Sequence, residues 1–106
     1  MNDARFIVVV TTVGTRAEAR AMARTLVERQ LAACAQISEI ESFYAWDGEI
    51  RDEPEFRIWL KTVRERYDEV EAAIRGLHPY ELPAIYALPV GHIFAPYGDW
   101  VEAAGG

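Results

Sequence analysis

Asp47-Gly48, set between Trp46 and Ile50, constrains this chain more than any other pair of residues. A two-residue type I′ turn needs positive φ at both central positions, and Asp-Gly accepts it, so the flanking segments read as a β-hairpin. From Ala33 to Trp46 the apolar residues fall first on odd positions (Ala33, Ala35, Ile37) and then on even ones (Ile40, Tyr44, Trp46). Side chains alternate between faces along a strand, so this change of parity predicts a bulge or bend at Ser38-Glu39. On the return arm Pro54 predicts a break, after which Phe56, Ile58 and Leu60 line one face and Arg57, Trp59 and Lys61 the other. The arms, about 14 residues each, exceed the usual strand and predict tips that project beyond a small domain.

The segments around the hairpin alternate between strand and helix. Phe6 to Thr12 is a continuous β-branched run, the mark of a strand central in a sheet. Gly14 ends it, and Thr15 with Glu18 forms a capping box for a helix with the stripe Ala19, Met22, Ala23, Leu26 and Val27. Thr62 with Glu65 repeats the pattern for a second helix with the stripe Val63, Tyr67, Val70, Ile74 and Leu77, which His78-Pro79 stops. Ala84 to Val90 reads as a fourth strand, and Tyr97 to Val101 as a short terminal helix or turn. The order βαββαβ predicts an α+β, ferredoxin-like, split-βαβ sandwich: one domain over residues 1–106, with two helices on one face of a four-stranded antiparallel sheet. The second face would stay bare. A bare face and a protruding aromatic hairpin need a cover, which predicts an obligate oligomer.

At 106 residues the chain supports one modest core, and 51% hydrophobic residues are too many for disorder. Eleven basic against seventeen acidic residues give −6 with no basic cluster, which argues against nucleic acid and anionic membranes as partners and leaves cations easier to attract. No long apolar span or signal-peptide core is present, and the lone Cys34 has no intrachain disulfide partner, so the expected compartment is the reducing cytoplasm.

His78-Pro79-Tyr80-Glu81-Leu82-Pro83 concentrates the chemistry, holding an imidazole, a phenol and a carboxylate between two prolines. Each proline stiffens its neighbourhood, so these groups are presented at low entropic cost. The alternative reading is that Pro79 only stops a helix and Pro83 only starts an edge strand. No Ser/His/Asp order or phosphate-cradling glycine loop accompanies the segment, so no enzyme is predicted.

These motifs together resemble the CutA divalent-ion tolerance proteins over nearly the whole chain. The resemblance rests on Val8-Val9-Val10-Thr11-Thr12, Leu31-Ala32-Ala33-Cys34, the hairpin Ser42 to Ile50, Lys61-Thr62, the segment His78 to Pro83, and Tyr97 with Trp100. It implies a small ferredoxin-like homotrimer, reminiscent of the PII signalling proteins, with a role in tolerance of copper and other divalent cations and no established catalytic reaction. Within that frame Cys34 and His78 are the candidate metal ligands, with no cofactor required. Met22 lies on a core stripe and His92 in an apolar loop, and neither has a paired spacing such as CxxC or HxxxH. Three copies around an axis could complete a site that one chain leaves open. The competing reading is a small-molecule sensor whose inter-subunit pocket is lined by Lys61, Tyr80 and Glu81, with Trp46 or Trp59 as a stacking wall. A third is a purely structural trimeric scaffold.

Overall fold

β1 (Phe6–Val13) is followed in the computed structural model, which describes residues 4–105, by α1 (Arg16–Glu28), β2 (Cys34–Trp46), β3 (Glu49–Val63), α2 (Tyr67–Leu77), β4 (Ile85–Pro89) and α3 (Ala95–Gly105). The strands form one antiparallel sheet in the order β2-β3-β1-β4, the ferredoxin-like split-βαβ arrangement. Alternate residues of β1 and β3 look into the helical layer, where Val9, Val13, Ile58 and Leu60 pack with Leu26 of α1 and Ile74 of α2. Each such side chain contributes about 1.5–3 kcal/mol by leaving water.

Thr15 caps α1 as expected, its hydroxyl accepting from the Glu18 N–H at 3.1 Å. Ala19, Met22, Ala23 and Leu26 are buried, but Val27, still within the helix, is 38% exposed at the edge of the packed stripe. Gln30 takes a φ of 60°, and the Leu31 N–H reaches back to the Leu26 carbonyl at 3.0 Å, closing the helix with a Schellman-type turn. The second capping box does not form. Thr62 is still part of β3, fully buried, and its hydroxyl donates to the Leu31 carbonyl at 2.8 Å. A 3-10 turn at Arg64–Arg66 leads into α2 instead, and of its expected stripe Val70 and Ile74 are buried while Leu77 is exposed.

Asp47 and Gly48 have φ of 53° and 76°, the paired left-handed conformation of a type I′ turn. β2 and β3 then pair without interruption from Trp46–Glu49 to Cys34–Lys61. The expected bulge at Ser38-Glu39 is absent. Ala35 and Ile37 pack on the helical layer, whereas Ile40, Tyr44 and Trp46 project from the opposite face where the hairpin has outrun β1. The apolar residues therefore change sides while the register stays constant. The expected break at Pro54 is also absent, since β1 reaches only to Phe56 along β3. At Pro54 the sheet is a two-stranded ribbon, with an open side on which no ladder N–H is required.

α3 covers one end of the face expected to be bare. Val101 is buried, and Gly98 lies so close to β1 that an added Cβ would stand 3.1 Å from the Phe6 ring. An ion pair between Arg5 and Glu102 fastens the helix to the start of the strand. The remainder of that face shows Tyr86 and Leu88 to solvent.

Candidate functional site

The α2–β4 connection is organised by His78. Its backbone ends α2, with an extended ψ of 134°, because the residue before a proline is driven out of the helical region. Its ring is held at both nitrogens: the Tyr80 N–H donates to Nδ1 at 3.1 Å, so Nε2 carries the hydrogen and donates to the Thr12 carbonyl at 2.8 Å. The imidazole is a strut between the connection and the end of β1. It also sets Tyr80, whose ring centroid lies 4.8 Å away.

Tyr80 then reaches past Gly14, where an added Cβ would stand 3.1 Å from the hydroxyl, and donates to Glu55 Oε2 at 3.2 Å. Partial burial, followed by the charge of Glu55 and this hydrogen bond, pushes the phenol up to about 12. The group stays a protonated donor throughout the physiological range.

Tyr80 forms one wall of a cleft of about 470 Å³ between the connection and the ribbon. The opposite wall follows from strand alternation: the pairs Trp46–Glu49, Tyr44–Arg51, Ser42–Glu53 and Ile40–Glu55 share one sheet face. Tyr44, Trp46, Arg51, Glu53 and Glu55 therefore line the cleft, facing Tyr80, Glu81 and Leu82. Desolvation, then the charges of Glu53 and Glu55, raise the Tyr44 phenol as well, against the opposing pull of Arg51. The Arg51 Nε is buried without a hydrogen-bond partner among the described residues. Two ribbon carboxylates, a third from Glu81 and three aromatic rings make the cleft attractive to cations.

Three of the residues chosen from the sequence, Trp46, Tyr80 and Glu81, thus meet in one place. Lys61 does not join them. It pairs with Val8, four residues from Thr12 along β1, or roughly 13 Å at the usual strand rise. There its ammonium lies 3.3 Å from the Tyr97 hydroxyl. Trp59 is also outside the cleft, opposite Gln36, with the Arg57 guanidinium 5.9 Å from its ring centroid. Cys34 opens β2 directly opposite Lys61 and is half-buried, so the thiol and the His78 imidazole sit at different ends of the sheet. Among the described residues no three His, Cys, Asp or Glu side chains converge on a metal position. Tyr44, Arg51, Glu53 and Glu55 were missed by sequence reasoning, although the register set by Asp47-Gly48 places them on the Trp46 face once Pro54 is allowed within the strand.

Comparison with known proteins is consistent in family and in shape. Residues 7–104 match the model of the CutA1 divalent ion tolerance protein family. The chain is 38% identical over 96 residues to the divalent-cation tolerance protein CutA of Thermotoga maritima, spanning 91% of this chain and 95% of that protein. Its fold matches the structure of CutA from Synechococcus elongatus with a TM-score of 0.94 at 34% identity, over 100% of this chain and 95% of that one. A structure described as the periplasmic divalent cation tolerance protein CutA of Archaeoglobus fulgidus matches with a TM-score of 0.93 at 32% identity, over 95% and 99% of the two chains. No helix among the described residues is long and apolar enough to cross a membrane. Sequence motifs, hairpin register and sheet order converge with these matches, and the chain belongs to the CutA1 divalent ion tolerance protein family.

Proposed function

We propose that the protein is a non-enzymatic, cytoplasmic homotrimer that contributes to tolerance of copper and other divalent cations through weak metal binding. The observation that carries this reading is the cleft in which Glu53, Glu55 and Glu81 meet three aromatic rings without converging as a closed ligand set. Such a surface concentrates cations while holding none tightly, and copies of the chain around an axis would supply the missing ligands. Cys34 is the soft donor for copper in this scheme. For His78 to ligate as proposed, it would have to give up one of its two backbone hydrogen bonds. Assembly is supported by the large rings and aliphatic groups that one protomer leaves in water, with Phe43 at 67%, Ile50 at 73% and Leu82 at 73% exposure.

The test is a copper titration of the purified protein with Cys34→Ala and His78→Ala variants, each also melted in chelator. Loss of about tenfold in affinity with unchanged melting marks a ligand. A lower melting temperature in chelator with normal copper binding marks a structural residue, and that outcome at both positions would remove the metal assignment. A second reading, a PII-like small-molecule sensor, is favoured by the cleft volume and by the protonated Tyr80 donor inside it.

A further inference from the structure

A second cavity, of about 300 Å³, lies under α3 and shares no lining residue with the acidic cleft. Its walls are mostly apolar, with Phe6 and Val8 of β1, Val90, Ile93 and Phe94 of the β4–α3 connection and Val101 of α3, and His92 and Thr62 also line it. Into it comes Lys61, the only lysine in the sequence. The ammonium donates to the Tyr97 hydroxyl at 3.3 Å and lies 5.4 Å from the centroid of that ring. The ion pairs Arg5–Glu102, Arg16–Glu39, Arg24–Glu28 and Arg66–Glu69 all use other cations, and among the described residues no carboxylate is paired with Lys61. Among those residues no carboxylate lines the cavity either, so a half-buried ammonium beside a hydroxyl and mostly apolar walls is short of a counter-charge. Phe94, at 76% exposure, stands at the same cavity with most of its ring in water.

We propose that this cavity binds a small monocarboxylate with a compact apolar tail. The carboxylate meets the Lys61 ammonium and the Tyr97 hydroxyl, and the tail lies against Phe6, Ile93 and Phe94, covering the exposed ring. One ammonium and one hydroxyl match a single negative charge, whereas a dianion would leave charge uncompensated in a chain of net charge −6. The volume is at the small end of the range for organic ligands, which sets the tail at one ring or a short aliphatic chain. The site goes beyond cation tolerance: it selects the opposite charge and lies at the other end of the sheet from the acidic cleft, and because the proposed copper donor Cys34 pairs with Lys61 the titrations below are run in chelator.

Phenylacetate is a suitable probe, with 2-phenylethanol as its uncharged counterpart. Titrated into the full chain and followed by amide chemical shifts, phenylacetate is expected to move the resonances of Lys61, Ile93, Tyr97 and Val101. Lys61→Met, which keeps the aliphatic stem, should weaken it by roughly tenfold or more, while Lys61→Arg retains binding. The alcohol should bind the wild type at least about tenfold more weakly than the acid and respond little to Lys61→Met. Equal affinities of the wild type for acid and alcohol would overturn the proposal without recourse to any variant. So would a lack of shifts at millimolar phenylacetate, or undiminished binding by folded Lys61→Met.

Discussion

The Tyr80 hydroxyl and the Glu55 carboxylate, 3.2 Å apart, join the α2–β4 connection to the hairpin next to the point where β3 leaves β1. Gly14 leaves the room for this contact and His78 aims the ring, so a segment rich in proline acquires a fixed position against a ribbon that has only one neighbour strand on each arm.

Alkaline unfolding should register that contact. Folding raises the Tyr80 phenol from 10.0 to about 12, which favours the protonated form. Its contribution is therefore complete below pH 10 and disappears as the pH rises towards 12. Urea midpoints of the wild type should fall more steeply across this window than those of Tyr80→Phe. Tyr67 is also shifted upward but is common to both proteins and cancels in the comparison, whereas Tyr44 adds to the Tyr80 shift and its titration is part of the difference. Parallel curves would mean that the Tyr80–Glu55 bond does not hold in solution.

Gln30 is a non-glycine residue at φ 60°, in the position that ends α1. Gln30→Gly removes the Cβ that disfavours this conformation and should raise stability by about 0.5–1 kcal/mol, less what glycine adds to the freedom of the unfolded chain. Chemical denaturation at constant m-value is the appropriate measure. A destabilised variant would show that the Gln30 side chain contributes more than its backbone strain costs.

The hairpin tip separates assembly from ligand binding. Gly48, at φ 76°, has no neighbour within 4 Å of an added Cβ, so Gly48→Val acts through backbone strain alone, at about 1 kcal/mol or more. Trp46→Ala removes a ring that is half exposed in one protomer. If tips pack on neighbouring copies, both variants should dissociate more readily in analytical ultracentrifugation. A Trp46→Ala protein that remains assembled with an unchanged melting temperature, yet loses small-molecule binding, would assign the ring to the cleft.

Much of this arrangement was legible because local signals agreed with the global fold. The β-branched run of β1, the Thr15 cap and the Asp47-Gly48 turn each specify a conformation that needs no distant partner. What was misread depended on neighbours. Pro54 is a strand breaker only where both edges of a strand are paired, and Thr62 resembles a cap until the Leu31 carbonyl arrives from the α1–β2 loop to receive its hydroxyl. The parity change at Ser38-Glu39 looked like a backbone irregularity, but it marks where the hairpin outruns β1. The site shows the same division. Trp46, Tyr80 and Glu81 carried distinctive chemistry in a stiff context, whereas Glu53 and Glu55 acquire meaning only from a continuous register, and Lys61 was separated from the cleft by four residues of β1 that no composition argument could count.

With a single lysine in the chain, a lysine-specific endoprotease has one bond to cut, between Lys61 and Thr62. That bond lies in a strand paired on both sides, with Cys34 and Val8 opposite Lys61 and with Thr62 wholly buried. A protease needs an extended, accessible segment, so fraying of the ribbon tip leaves the bond protected and only separation of the sheet exposes it. Digestion rates would then report the population of the globally open chain, free of the local motions that complicate most proteolytic assays.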